Sequence, residues 1–171
     1  MERIGKRIIL FLLFLGSGCG YRLVGEEINL AGGITQLAIA PAKNLTMEAK
    51  LEQFFTEALV EALRSDNRMK LVDKKQAQAV LLSELIEVKE QALAFDQFGR
   101  VNLIEIRMSL RVHLEKISEP KNLWNSGVIS MSEQYPVGDD FLVNAELRDK
   151  ALKQICEKIA LVISEQLVSG F

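Results

Sequence analysis

The feature that most constrains this chain is a strict alternation in its middle. Ile104, Ile106, Met108, Leu110, Val112 and Leu114 are apolar, while Glu105, Arg107, Ser109, Arg111, His113 and Glu115 are polar or charged. Side chains on a strand point alternately to opposite faces, so this segment builds one dry face and one wet face. A parallel strand covered on both sides would read as an unbroken apolar run, so the pattern predicts a half-buried antiparallel strand. The fold must therefore cover one face of a sheet and leave the other to water or to a partner.

Two helical patterns can supply that cover. Leu51, Phe54, Phe55, Ala58, Leu59, Ala62 and Leu63 recur at helical spacing, with Glu52, Gln53, Glu57 and Glu61 mainly on the remaining face. This predicts a helix from about Met47 to Arg64, with Thr46 as the candidate N-cap. A second stripe, Ala145, Leu152, Ile155, Cys156, Ile159, Ile163 and Leu167, predicts a long helix over Phe141 to Val168. Asp139 and Asp140 precede it, where the helix dipole favours negative charge. Gly170 and Phe171 follow as a helix stop and an apolar residue expected to pack back on the body.

The remaining strands are read from weaker signals. Ile34 to Pro41 alternates weakly and stops at a proline. Met69 to Val72 is a short strand or an extended approach. Val80 to Lys89 reads as a strand with Val80, Leu82, Ile86 and Val88 on one face and Ser83, Glu87 and Lys89 on the other, although Glu84 and Leu85 break the alternation. Asp96 to Gly99 is a hairpin turn. Leu123 to Tyr135 forms the last strand, interrupted at Gly127. The order strand, helix, strand, strand, strand, helix implies one parallel crossover followed by antiparallel hairpins. The expected fold is an α+β two-layer sandwich, a mixed four-stranded β-sheet with two amphipathic α-helices on one face.

The N-terminus carries an address. Arg3, Lys6 and Arg7 precede an apolar run from Ile8 to Leu15, and Gly16-Ser17-Gly18 is a small-residue processing site ahead of Cys19. Eight helical residues cover about 12 Å, against roughly 30 Å of hydrocarbon, so a permanent span is disfavoured. Residues 1–18 are expected to be a lipoprotein signal peptide, residues 19–33 an extended lead-in from a lipidated Cys19, and residues 34–171 a single domain. The Ser17-Gly18-Cys19 tail matches a lipidation signal, with Gly16 where a leucine is usual. An ordinary signal peptide beside an unmodified cysteine is the plainer alternative. With Cys19 acylated, Cys156 is left single in an apolar helical pattern and reads as a small buried hydrophobe.

Catalytic chemistry is hard to find. The chain has one histidine, His113, on the wet strand face, and the six-residue step to Glu119 has no ligation logic. No nucleophile elbow, Cys-x-x-Cys or His-Glu-x-x-His motif occurs. The chain is expected to be a non-enzyme without cofactor or metal. The formal net charge is −2, and without residues 1–18 there are 18 basic against 22 acidic side chains. That balance argues against a nucleic-acid binder. The wet strand face nevertheless sets Arg107 and Arg111 on one side about 13 Å apart, with Lys89 a candidate neighbour on the adjacent strand. Such cations suit phosphate, and the plain alternative is a solvated strand face.

Cys19-Gly20-Tyr21-Arg22-Leu23-Val24-Gly25 after a signal peptide resembles the mature start of the LPS-assembly lipoproteins called LptE. Further similarity runs through Leu37 to Thr46, Leu93 to Val101, Glu133-Gln134-Tyr135 and Gly170-Phe171. The resemblance implies a mixed four-stranded sheet with two helices. It implies an outer-membrane lipoprotein, facing the periplasm, that plugs the LptD β-barrel, helps it fold, and takes part in placing lipopolysaccharide in the outer leaflet. Gly20 resembles the pattern of lipoproteins sorted outward. Lipopolysaccharide is then the expected ligand of Arg107, Arg111 and Lys89. Ile39 to Thr46 is also similar to the strand–loop entry of lipoproteins that activate peptidoglycan synthases or build secretion pores. A soluble periplasmic binding module is a third reading.

Overall fold

The computed structural model describes residues 33–65 and 70–169. The signal segment, Cys19, the lead-in up to residue 32 and the terminal Gly170-Phe171 lie outside the described residues. The described elements are β1 (Gln36–Ile39), β2 (Lys43–Asn44), α1 (Leu51–Ser65), β3 (Lys70–Leu71), β4 (Ala79–Phe95), β5 (Val101–Lys116), β6 (Lys121–Pro136) and α2 (Phe141–Ser169).

The sheet runs β3-β1-β4-β5-β6, with β2 also paired to β4. It has six strands, where four were expected. One extra strand arises because the chain pairs again beyond Pro41, where the first expected strand ends. Leu37 to Ile39 pairs in parallel with Ala79 to Leu81, and Lys43-Asn44 pairs in parallel with Glu84-Leu85. Pro41, between them, has no amide to donate. The Ala42 amide turns away from the sheet to the Thr56 hydroxyl on α1, at 3.0 Å. The other extra strand is β3, two residues paired in parallel to Gln36-Leu37. The antiparallel meander β4-β5-β6 and the mixed sheet follow the expected order.

The dry face is as the alternation on β5 requires. Ile106, Met108, Leu110, Val112 and Leu114 are all fully buried. They form one core with Leu51, Phe55, Leu59 and Leu63 of α1 and Leu152, Ile155, Cys156, Ile159 and Ile163 of α2. Both helices therefore cover the same sheet face. Ala145, counted in the α2 stripe, is exposed.

On β4 the expected faces are reversed in the first half. Leu81, Ser83 and Leu85 stand opposite Leu114, Val112 and Leu110 and face the helices, so Val80 and Leu82 lie on the opposite sheet face, Val80 buried there. A β-bulge between Leu85 and Glu87 inserts one residue, after which Val88 opposes Met108 on the core side. Because the side-chain period is two, a single extra residue exchanges the faces. β4 also continues beyond Lys89 to Phe95.

The start of the first helix is corrected. α1 starts at Leu51, not Met47, and Thr46 does not cap it. The Thr46 hydroxyl accepts the Glu48 amide in a tight turn, and Lys50, at φ 66°, delivers the chain into the helix. β6 runs on through Gly127, at φ 66°, but its ladder is interrupted there as expected: Ser126 and Gly127 together oppose Val112, a β-bulge. There the Ser126 hydroxyl substitutes for a ladder acceptor, taking the Val112 amide at 3.0 Å. At α2, Asp140 Oδ1 accepts the Leu142 and Val143 amides, so the acidic residue expected beside the helix start also caps it.

Candidate functional site

The three cations singled out from sequence do share the open sheet face. Lys89 and Arg107 are direct cross-strand partners, and Arg111 lies four residues further along β5. All three are well exposed, but none is unpaired. Lys89 meets Glu87 at 2.8 Å, Arg107 meets Glu105 at 3.0 Å, and Arg111 meets Glu84 at 2.8 Å. Lys43 also reaches Glu84, at 3.4 Å. The Arg111 guanidinium, followed by Lys43, holds the Glu84 carboxyl below its ordinary value. Ser132 donates to Glu105, and Ser109 and Ser130 share a hydrogen bond. The face is thus a charge-balanced polar sheet. An incoming phosphate has to displace a carboxylate from its arginine, which is feasible because exposed pairs are worth only about 1 kcal/mol or less.

His113 stands on this face opposite Leu82 and Asn125. Among the described residues no group of three His, Cys, Asp or Glu could hold a metal. Cys156 is a free thiol in the core, and burial, with Glu157 nearby, pushes its pKa up to about 12. It behaves as the small hydrophobe expected.

A second surface was not singled out as a site from the sequence. At the far end of the β4–β5 hairpin, Leu93, Phe95 and Phe98 are exposed, Phe98 at 73%. At the start of α2, Phe141, Leu142 and Val143 are also exposed, Phe141 at 80%. Arg100 joins the two groups. Its guanidinium lies 5.6 Å from the Phe98 ring centroid and bonds Asp96 and, at 3.1 Å, Asp139 beside α2. Asp96 Oδ1 accepts the Phe98 and Arg100 amides, which fixes the turn and lowers its carboxyl pKa. The Val137 amide donates to Asn102, tying the end of β6 to the same hairpin. The result is an end of the molecule where Arg100 links an exposed aromatic turn to the exposed apolar start of α2. The available sequence signal was large apolar residues crowding a turn and a helix start, where polar residues are usual.

Behind this end a clamp fixes the elements. Arg148 on α2 binds Glu48 through two hydrogen bonds of 2.6 and 2.9 Å and Glu90 on β4 at 2.5 Å. Tyr135 on β6 donates to Glu90 at 3.1 Å. One guanidinium therefore links the loop before α1, the sheet and α2. Lys158 pairs with Glu133 further down α2.

The fold is shared with solved structures. Lipoprotein B from Nitrosomonas europaea, described as uncharacterized, matches with TM-score 0.56 at 16% identity, over 88% of this chain and 91% of that one. The rare lipoprotein B from Shewanella oneidensis matches with TM-score 0.50 at 19% identity, over 73% and 87%. A hypothetical protein from Chlamydia trachomatis matches with TM-score 0.54 at 13% identity, over 79% and 98%. At such identities the likeness is one of fold. No curated protein matches. Residues 34–167 match the model of a family described as "LptE: Lipopolysaccharide-assembly", which spans most of the chain, and the protein belongs to the LptE family.

Proposed function

We propose that the chain is an outer-membrane lipoprotein, anchored through an acylated Cys19 after removal of residues 1–18, that faces the periplasm. It works without catalysis as plug and assembly partner of an LptD-type β-barrel in moving lipopolysaccharide to the outer leaflet. The match to the LptE family over residues 34–167 carries this reading. The two surfaces suit the role. Barrel lumens are polar, and the open sheet face offers paired charges and hydroxyls and little apolar area. Lipopolysaccharide combines phosphates with acyl chains. Lys89, Arg107 and Arg111 supply cations for the first, and the Phe95, Phe98 and Phe141 end supplies apolar contact for the second, about 20 Å away along β5 from Arg107 to Val101.

Depletion of the protein in its own cells tests the reading. Surface lipopolysaccharide and the folded barrel are expected to fall together. Unchanged surface lipopolysaccharide with reduced cell-wall cross-linking would overturn it in favour of a synthase activator.

A further inference from the structure

A groove of about 610 Å³ runs between α1 and α2 on the side of the helices away from the sheet. Its floor is Phe54, Ala58, Ala62 and Leu161, with Leu161 55% exposed. Glu57 and Glu61 stand one turn apart on α1, and Glu157 faces them from α2. Lys153 is the single cation in the lining. It is already engaged, with its ammonium 4.7 Å from the Phe54 ring centroid.

The carboxylates here differ from those that flank the sheet-face cations and the Arg148 and Lys158 pairs. On the open sheet face Glu84, Glu87 and Glu105 each hold a cation, and Glu48, Glu90 and Glu133 are paired as well. Glu57, Glu61 and Glu157 form no ion pair among the described residues. An apolar floor open to water, with three unpaired carboxylates along both walls, is electrostatically half of an interface. Anionic lipid is disfavoured by that rim. A second copy of the same helical face would bring like charges together.

We propose that this groove is a docking site for a basic amphipathic helix of a partner protein. Its apolar side chains, at i, i+3 or i+4 and i+7, lie on Phe54, Ala58 and Leu161, and its lysines or arginines pair with Glu57, Glu61 and Glu157. From Phe54 to Ser65 the groove extends about 16 Å, three turns of helix. Lys153 over Phe54 shows that a cation is accommodated at the aromatic end. The site lies on the helical layer, separate from both surfaces of the proposed lipopolysaccharide role, and stands independently of that role.

The test uses the full mature protein in mild detergent and a fluorescent 14-residue helical Leu/Lys peptide, with a Leu/Glu peptide of the same pattern as counterpart. Anisotropy is expected to show binding of the Leu/Lys peptide only. Affinity should fall at least tenfold in the E57Q/E61Q/E157Q variant and severalfold in Leu161→Ser. D73N/E119Q/E146Q makes the same change in net charge at exposed positions elsewhere and should bind like wild type. A nitroxide on the peptide should broaden methyl signals of Ala58, Ala62 and Leu161 and spare Val128 on the sheet face. Equal loss in the two triple variants, equal binding of the Leu/Glu peptide, or broadening centred on Val128 would each overturn the proposal.

Discussion

Replacing Arg148 by Met should unfasten the molecule where three of its elements meet. The guanidinium makes two hydrogen bonds to Glu48 and one to Glu90, across up to 100 residues of chain. Met keeps much of the aliphatic stem and removes the charge. Two carboxylates that shared one cation are then left facing each other, with Tyr135 still donating to Glu90. Removing one partner of a buried pair costs about 3–5 kcal/mol, while exposed pairs are worth about 0.2–1 kcal/mol. The side chains of Arg148, Glu48 and Glu90 are 27%, 26% and 33% exposed, which places this cluster between the two limits. We expect a loss of about 2–3 kcal/mol. For a chain of this size that lowers Tm by roughly 6–10 °C. Calorimetry or circular dichroism of the protein in mild detergent reads it directly. The sign of the pH dependence follows from Glu48, whose carboxyl Arg148 holds below its ordinary value of 4.5. A depressed carboxyl stabilises the fold above its unfolded value and loses that contribution as pH falls through the folded one. The gap between wild type and R148M should therefore be full at pH 7 and close below about pH 4.5. A Tm change under 2 °C, or a gap that widens in acid, would mean that Arg148 does not fasten these elements.

Other predictions concern single residues. Cys156, buried with its thiol pushed up to about 12, should resist alkylation in the native protein at pH 8 and react fully once denatured, as mass spectrometry can follow. Gly127→Ala should destabilise by about 1 kcal/mol, because φ 66° strains an L-residue although no neighbour blocks its Cβ; denaturant melts measure this, and a stabilised variant contradicts it. Leu110→Ala, at the centre of the covered face, should cost about 2–5 kcal/mol by the same measurement. Charge reversal in R107E/R111E should weaken lipopolysaccharide binding at least tenfold with Tm little changed; unchanged affinity removes the sheet-face cations from the ligand site.

What sequence could reveal about the fold tracked how local the cause was. The alternation from Ile104 to Glu115 needs nothing beyond a strand half covered by helices, and the structure keeps every residue of it on the expected face. The helical stripes are equally local, and α2 was legible to within a residue or so at each end. β4 was misread because its faces depend on the bulge at Leu85–Glu87, which no periodicity announces. Val80 and Leu82 are apolar enough for the helix-covered core, yet the register with β5 sets them on the opposite sheet face, where Val80 is buried all the same. The end of β1 was signalled by Pro41, but the resumption at Lys43 depends on β4 offering Glu84 and Leu85 as neighbours.

The same division runs through the candidate surfaces. Arg107 and Arg111 were legible on one strand face from their spacing. Their carboxylate partners were not recognised, because Glu84 comes from another strand and Glu105 sits two residues away on the same face. The Phe98 and Phe141 end joins segments about forty residues apart through Arg100 and Asp139, a pairing that only the folded meander brings about. The Arg148 clamp is more remote still.

Partnership with an outer-membrane barrel can be read directly by co-purification. The full-length protein, tagged at its C-terminus and extracted from its own membranes in mild detergent, should bring down one large β-barrel in equimolar amount, resistant to salt washing. Recovery of a cell-wall synthase in its place, or of the protein alone, would contradict that partnership.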